Sequence, residues 1–266
     1  MRLVTWNVNS LGARMPRVFE LLEQLDPDVV CLQETKVTPE AFPHMELAMA
    51  GYAAVEHSAG RWNGVALLAR EDLEVDGVVR GLEGEPDASE ARWIEARIGG
   101  VQVVSTYVVN GRTPDHPMFA AKLDFFAAAR DRARALVAGG PTVIAGDLNV
   151  TRDDRDVFDP RAFIGSTHVT PEERAHFEAV LAVGLADAWR IVEPDAAGFT
   201  WWDYRAGAFH KNLGMRLDYA LVSRHLGVRN VLVERTFRKN NRAGDKPSDH
   251  APLVVDLDRH EASGSQ

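Results

Sequence analysis

Short apolar runs in this chain repeatedly end in polar residues that a hydrophobic core would reject. Val4, Trp6 and Val8 alternate along residues 2–8, and Asn7 and Asn9 close that run. DVVCLQ (28–33) leads into Gln33-Glu34-Thr35, VQVVSTYVV (101–109) carries Tyr107 and leads to Asn110, and PTVIAG (141–146) leads to Asp147-Leu148-Asn149. Two later runs reverse the order. Asp218 stands at the start of LDYALVS (217–223), and Ser248-Asp249-His250 come just before PLVVDLD (252–258). Runs of this length, bounded by turn residues, read as strands. Loops at strand ends are where a rigid scaffold carries a site. Taken singly, each Asp or Asn is an ordinary turn former, Glu34 a solvated carboxylate and His250 a surface imidazole. Six such endings in one chain form a pattern.

NGVALLAR (63–70), RWIEARI (92–98) and VRNVLVER (228–235) add further strands, and Gly99-Gly100 turns a hairpin between RWIEARI and VQVVSTYVV. Pro16 is expected to open a helix whose apolar face carries Val18, Leu21, Leu22 and Leu25. A long amphipathic helix is expected over 117–138, and Thr170-Pro171-Glu172-Glu173 has the capping sequence of another. Strands outnumber helices and several meet at hairpins. That pattern favours an α/β fold of two packed, mainly antiparallel or mixed β-sheets flanked by helices, a four-layer α/β sandwich. Neither G-x-G-x-x-G nor a Walker A sequence supports a nucleotide-binding alternative. With no repeat and no low-complexity linker, residues 1–258 read as a single domain and 259–266 as a flexible C-terminal tail. A hydrophobic content of 45% is enough to build its core.

The single cysteine, Cys31, excludes a disulfide framework and a zinc site built from four cysteines. MRLVTWNVNS has no signal-peptide pattern, and no apolar run approaches the ~18 residues of a membrane span. A cytoplasmic protein without membrane contact is expected. The formal net charge is −9, which by itself argues against a polyanionic partner. Distribution alters that reading. Residues 201–250 carry ten Lys and Arg against five Asp and Glu, and local charge steers a polyanion more than the total does.

The strand-end residues together offer carboxylates, amide oxygens, an imidazole and a phenol. Oxygen-rich sets without cysteine suit a hard cation, Mg2+ or Mn2+. Such an ion offsets charge on phosphate, a carboxylate can take a proton from water, and an amide can hold that water in line. The chemistry expected is metal-assisted phosphodiester hydrolysis.

The motifs TWNVN (5–9), LQETK (32–36), YVVNGR (107–112), GDLNV (146–150), TWWDYR (200–205), MRLDY (215–219) and KPSDHAP (246–252) resemble, in the same order, those of the exonuclease III family. That family comprises bacterial AP endonucleases of the endonuclease/exonuclease/phosphatase superfamily. The resemblance runs from residue 2 to about 257. It implies a DNase I-like sandwich and a nuclease of DNA repair. The substrate would be double-stranded DNA, cut 5′ to abasic sites and trimmed at blocked 3′ ends. It also implies 3′–5′ exonuclease action on duplexes, by a nucleoid-associated monomer. By the resemblance, Glu34, Asn7 and Asp249 hold the metal, with Asp147, Asn149 and His250 beside them. Asp147 activates the attacking water and Asn149 orients it. His250 meets the scissile phosphate with Asp218 as its carboxylate partner, and Tyr107 contacts the phosphate. Asn110, Arg112 and Lys246 fall on the DNA side. Trp201, Met215 and Leu217 surround a pocket for a baseless sugar, and Arg205 inserts at the lesion. Phe199 and Trp202 are expected in the core.

Some positions depart from the family pattern. Met215 stands where some relatives have an aromatic residue, Asn9 where some have Asp, Ser10 where Gly is common and Val109 where Pro often follows. A charge run is usually a solvated face. Arg235, Arg238, Lys239, Arg242 and Lys246 are nevertheless expected to meet the DNA backbone, because they lead directly into Asp249-His250. Two alternatives stand beside the nuclease. One is a small-molecule or lipid phosphoesterase of the same superfamily, which would have no use for TWWDYR or a basic stripe. The other is a non-catalytic binding module, which would need a missing ligand where every matched position is filled.

Overall fold

The computed structural model describes residues 1–259. In chain order its strands are β1 (Arg2–Asn7), β2 (Val29–Gln33), β3 (Tyr52–His57), β4 (Val65–Arg70), β5 (Val75–Arg80), β6 (Trp93–Ile98), β7 (Val101–Tyr107), β8 (Thr142–Asp147), β9 (Leu185–Asp187), β10 (Trp201–Trp202), β11 (Gly214–Met215), β12 (Asp218–Ser223), β13 (Leu226–Val233) and β14 (Leu253–Arg259). The helices are α1 (Leu11–Leu25), α2 (His44–Met49), α3 (Pro117–Gly139), α4 (Pro171–Leu181) and α5 (Ala188–Val192). Two six-stranded mixed sheets form, in the orders β13-β14-β1-β2-β4-β3 and β5-β6-β7-β8-β12-β9, and β10-β11 make a separate ribbon. β1 and β2 run parallel, as do β7 and β8.

The period-two alternation of strands sorts side chains into layers. Leu3, Val29, Cys31, Val103, Val143, Ala145, Ala220 and Val255 face inward and form the core between the sheets. Their neighbours Val4, Trp6, Val30 and Leu32 pack on the other side with Val18 and Leu21 of α1. Ile144, Tyr219 and Leu221 pack with Phe125 and Phe126 of α3 and Phe177 of α4. Helix, sheet, sheet and helix therefore stack as the expected four-layer sandwich.

The alternation also decides where the polar strand ends point. Asn7 continues the inward parity of Leu3, Gln33 that of Cys31, Tyr107 that of Val103 and Asp147 that of Ala145. Asp218 begins the parity continued by Ala220. β12 lies antiparallel to β8 with Asp218 opposite Asp147, and Tyr107 of β7 pairs with the same Asp147. All these side chains therefore meet at one rim of the inter-sheet layer. Gly146 permits this, because a Cβ at its position would lie 1.9 Å from the Thr106 carbonyl oxygen of β7.

Two expectations change. α1 begins at Leu11, not at Pro16, which lies inside it. The start is fixed by tertiary pairing: Ser10 and Leu11 donate backbone N–H groups to the carbonyls of Glu34 and Thr35 at 2.8 Å each. Pro16 forfeits one bond to Gly12, an exposed residue whose carbonyl water can satisfy. At the other end, β14 reaches Arg259, one residue past the expected domain limit, and pairs there with Leu226. The rest of the expected tail, 260–266, lies outside the described residues. α4 keeps its capping box, with Thr170 and Glu173 bonded reciprocally.

Candidate active site

Asn7, buried at the end of β1, joins the two sheets. Its Nδ2 donates to Glu34 Oε1 at 2.7 Å and to Asp147 Oδ2 at 2.9 Å. Glu34 and Asn149 both take left-handed backbone conformations, with φ of 52° and 51°. Such strain in non-glycine residues persists where the surroundings over-determine it. At Glu34 those surroundings are the Ser10 and Thr35 backbone pairings. At Asn149 they are an Asp147 Oδ1 that accepts the Asn149 N–H at 2.9 Å and a Val108 carbonyl that accepts its Nδ2 at 2.9 Å.

On the other side of Asp147, His250 Nδ1 lies 2.8 Å from Asp218 Oδ2, and its Nε2 is 3.7 Å from Asp147 Oδ2. Burial alone would strip the proton from His250, but the charges of Asp218 and Asp147 prevail and raise its pKa to about 10. Asp147 is pushed up to about 7. Burial is the main cause and His250 opposes it, while Asp218 and Glu34 add repulsion. The Tyr107 phenol is driven well above its usual value by burial and then by the charges of Glu34 and Asp147, so at neutral pH it keeps its proton. Asp249 resists burial and stays below the usual carboxylate range, through His250 and through donors from Trp201 Nε1 at 3.1 Å and Asn9 Nδ2 at 3.0 Å.

The loop carrying Asp249 and His250 is tied down on every side. Ser248 Oγ donates to the Asn7 carbonyl at 2.7 Å, and Trp6 Nε1 donates to the His250 carbonyl at 3.0 Å. The Trp202 N–H donates to the Asp249 carbonyl at 3.0 Å. Thr200 Oγ1 accepts the N–H groups of Leu217 and Asp218 at 3.1 Å each.

The donor set suits a hard cation. Four carboxylates, Glu34, Asp147, Asp218 and Asp249, crowd one rim, and Asp218 Oδ1 is buried without a hydrogen-bond partner. Lys36 already brings one positive charge there, with Nζ 2.7 Å from Glu34 Oε2 and 2.6 Å from Asn9 Oδ1. Among the described residues, no three His, Cys, Asp or Glu side chains form a ready-made cage. Glu34, Asp249 and the Asn7 amide carry oxygen atoms of the kind a hard dication takes.

The expected DNA-side residues separate into groups. Asn110 reaches the rim, its Nδ2 donating to Asn149 Oδ1 at 3.2 Å. Arg112 and Lys246 are exposed. Arg205 is 88% exposed and held to Asp203 at 2.6 Å. Met215 and Leu217 are buried to 1% and 3% exposure in a cluster with Val157, so Trp201, packed against them, is the member that faces outward. Phe199 and Trp202 pack in the core as expected. Arg238 does not join an open basic face. It is buried, its guanidinium lies 4.9 Å from the Tyr204 ring centroid, and it donates to the Trp202 carbonyl at 3.0 Å. Arg235 stays exposed but stacks over Trp202 and Phe209.

Several residues at this rim escape a sequence reading. Lys36 sits within a quoted motif but carries no pattern that marks it as a contact. His168 has a φ of 79°, and its Nδ1 lies 2.5 Å from the Asn149 carbonyl. Burial and then the Lys122 charge lower its pKa to about 4, so the ring is neutral. An exposed Trp62 lies in the loop whose Asn63 carbonyl accepts the Lys36 N–H at 2.9 Å.

Residues 4–250 match the Endonuclease/Exonuclease/phosphatase family. This chain belongs to that family. It is 33% identical to exodeoxyribonuclease III of Haemophilus influenzae, over 97% of this chain and 100% of that protein. A 3′ phosphatase from Neisseria, solved with a product DNA hairpin, is 37% identical with a TM-score of 0.92, covering 97% of this chain and 99% of that one. An AP endonuclease from Archaeoglobus fulgidus is 31% identical with a TM-score of 0.91, over 97% and 99% of the two chains. The family is a metal-dependent nuclease class. No helix among the described residues is long and apolar enough to cross a membrane.

Proposed function

We propose that this chain is a divalent-metal-dependent nuclease of DNA repair that hydrolyses the phosphodiester 5′ to an abasic site and trims blocked 3′ ends. It acts on double-stranded DNA as a monomer at the nucleoid, with Mg2+ or Mn2+ as its ion. The observation that carries this reading is the convergence of Glu34, Asp147, Asn149 and the Asp218–His250 pair on one rim. The names of the Haemophilus, Neisseria and Archaeoglobus relatives support DNA as the substrate, and the Neisseria protein supports 3′-end trimming.

The roles follow from the chemistry of each group. Asp147, poised near pH 7, takes a proton from water, because its crowded carboxylate gains by accepting one. Asn149, fixed by Asp147 and Val108, orients that water. His250 is an imidazolium throughout the neutral range and meets the phosphate charge through Nε2, while Asp218 accepts from Nδ1–H and fixes the ring plane. Tyr107, protonated, donates a hydrogen bond to a phosphate oxygen. Glu34, Asn7 and Asp249 hold the metal, which when bound offsets charge on the phosphate and on the departing oxygen. Trp201 forms the outward apolar face beside the sugar, backed by the buried Met215 and Leu217; Arg112 and Lys246 meet the backbone, and Arg205 inserts at the lesion.

The test uses an end-labelled duplex with one abasic analogue and a second duplex ending in a 3′-phosphate, with Mg2+, Mn2+ or EDTA. Strand cleavage at the analogue and loss of the terminal phosphate, both stopped by EDTA, are expected. Turnover in EDTA, or hydrolysis of inositol polyphosphates with both duplexes intact, would overturn the reading.

A further inference from the structure

A second charge pair lies behind the rim, between α3 and α4. Lys122 of α3 and Glu173 of α4 are both completely buried and in direct contact. Buried ion pairs contribute little net stability compared with apolar replacements, so stability is a weak reason for this pair to be here. Its other contacts lead to the site. The Lys122 ammonium donates to the Asn149 carbonyl at 2.6 Å and lies 3.4 Å from the Asn110 carbonyl and 3.2 Å from Thr167 Oγ1. Glu173 accepts the His168 N–H at 2.9 Å and contacts Thr167 Oγ1 at 2.6 Å. Thr167 Oγ1 is in turn 2.8 Å from the Asn110 carbonyl.

These contacts explain how two side chains at the rim are aimed. The left-handed turn at Asn149 directs its carbonyl inward, to Lys122 and to His168 Nδ1, while its amide reaches the Val108 carbonyl and the Asn110 side chain. Lys122 therefore grips the backbone of both asparagines that meet at the rim, without approaching the solvent face where DNA would lie. One buried cation and one buried anion join three loops, around Asn110, Asn149 and Thr167-His168.

We propose that Lys122 and Glu173 are a positioning pair for the hydrolysis, setting the Asn149 and Asn110 side chains from behind; this rests on the nuclease reading of the site. The pair belongs to the reaction geometry more than to the core. Displacement of a water-orienting group by about 1 Å can cost ~100-fold in rate.

The experiment compares wild type, Lys122→Met and the double variant Lys122→Met/Glu173→Gln. It measures kcat and KM on the abasic and 3′-phosphate duplexes, the thermal midpoint, and the Asn149 side-chain amide resonances in metal-free protein without DNA. Lys122→Met, which strands a buried carboxylate, is expected to lose both stability and kcat. The double variant is expected to regain the thermal midpoint but keep kcat ~10- to 100-fold low, with KM within about threefold of wild type and the Asn149 amide resonances shifted. Recovery of kcat together with stability would overturn the proposal, as would unmoved amide resonances. If wild type cuts neither duplex, the nuclease reading fails, while the amide resonances still decide whether the pair positions Asn149.

Discussion

His250 Nδ1 and Asp218 Oδ2 lie 2.8 Å apart with both side chains almost fully out of water. A histidine so buried would ordinarily be neutral. Here two carboxylates hold it as a cation, and the same imidazolium is the main counter-charge to Asp147. Neither partner can be altered without changing the protonation of the other.

The first prediction concerns that coupling. The folded pKa of His250, about 10, stands above its unfolded value of 6.5. Its stabilising contribution is therefore complete below about pH 6.5 and is lost as pH rises through 10. In wild-type protein kept metal-free with chelator, the imidazole resonances should titrate far on the alkaline side of neutrality. In Asp218→Asn, burial dominates and the midpoint should fall by more than about two pH units. An unchanged midpoint would show that Asp218 is not what holds the proton.

Asp147 sets activity against stability. Its folded pKa, raised from 3.8 to about 7, means that ionisation opposes folding. The penalty is absent below about pH 4 and complete above about pH 7. In EDTA at pH 8, Asp147→Asn should raise the thermal midpoint by roughly 2–4 °C for each kcal/mol relieved. The same change should lower turnover in Mg2+ by ~10²–10⁴-fold, the usual worth of a positioned base. A variant that melts earlier and still turns over normally would remove Asp147 from this role.

Two neighbouring basic residues should behave oppositely. Lys246 is exposed and Arg238 is buried against Tyr204 and Phe209. Lys246→Ala should reduce the slope of log binding constant against log salt by about 1, the signature of one lost phosphate contact, with the melting point unchanged. Arg238→Ala should lower the melting point and leave that slope alone until the loop itself loosens. Filter or fluorescence titrations of duplex DNA over a range of salt, beside calorimetry, distinguish the two.

The apolar wall at Met215 and Leu217 rests on a salt-bridge network. Arg216, between them, is fully buried, bidentate to Asp156 at 2.8 Å on both oxygens, and also paired with Asp187. Arg216→Met leaves two buried carboxylates short of a partner and should cost about 3–5 kcal/mol in urea unfolding. A loss below about 1 kcal/mol would mean that the network relaxes around the gap.

Much of the rim was legible in sequence because alternation is a strict rule. A polar residue that continues the inward parity of a buried strand has to face the neighbouring sheet, and Asn7, Tyr107, Asp147 and Asp218 all do so. What escaped lacked such a rule. Lys122 lies on an amphipathic helix, where lysine normally reads as surface, and its burial depends on Glu173, 51 residues away. Arg238 looked like one charge in a basic run until Tyr204 and Phe209 closed over it. Pro16 was misplaced because α1 starts from backbone pairing with Glu34 and Thr35, a tertiary contact with no local signature. β3 and β5 were not anticipated, since much of their surface stays in water.

The two sheets share the rim. Asn7 and Glu34 come from the first, Tyr107, Asp147 and Asp218 from the second, and the Asn7 amide joins them. Either sheet alone, in a chain partly unzipped by heat, holds only part of this constellation. Its power to cut is therefore withheld until the sandwich has closed. That is a useful safeguard for a protein whose proposed substrate is the cell's own DNA.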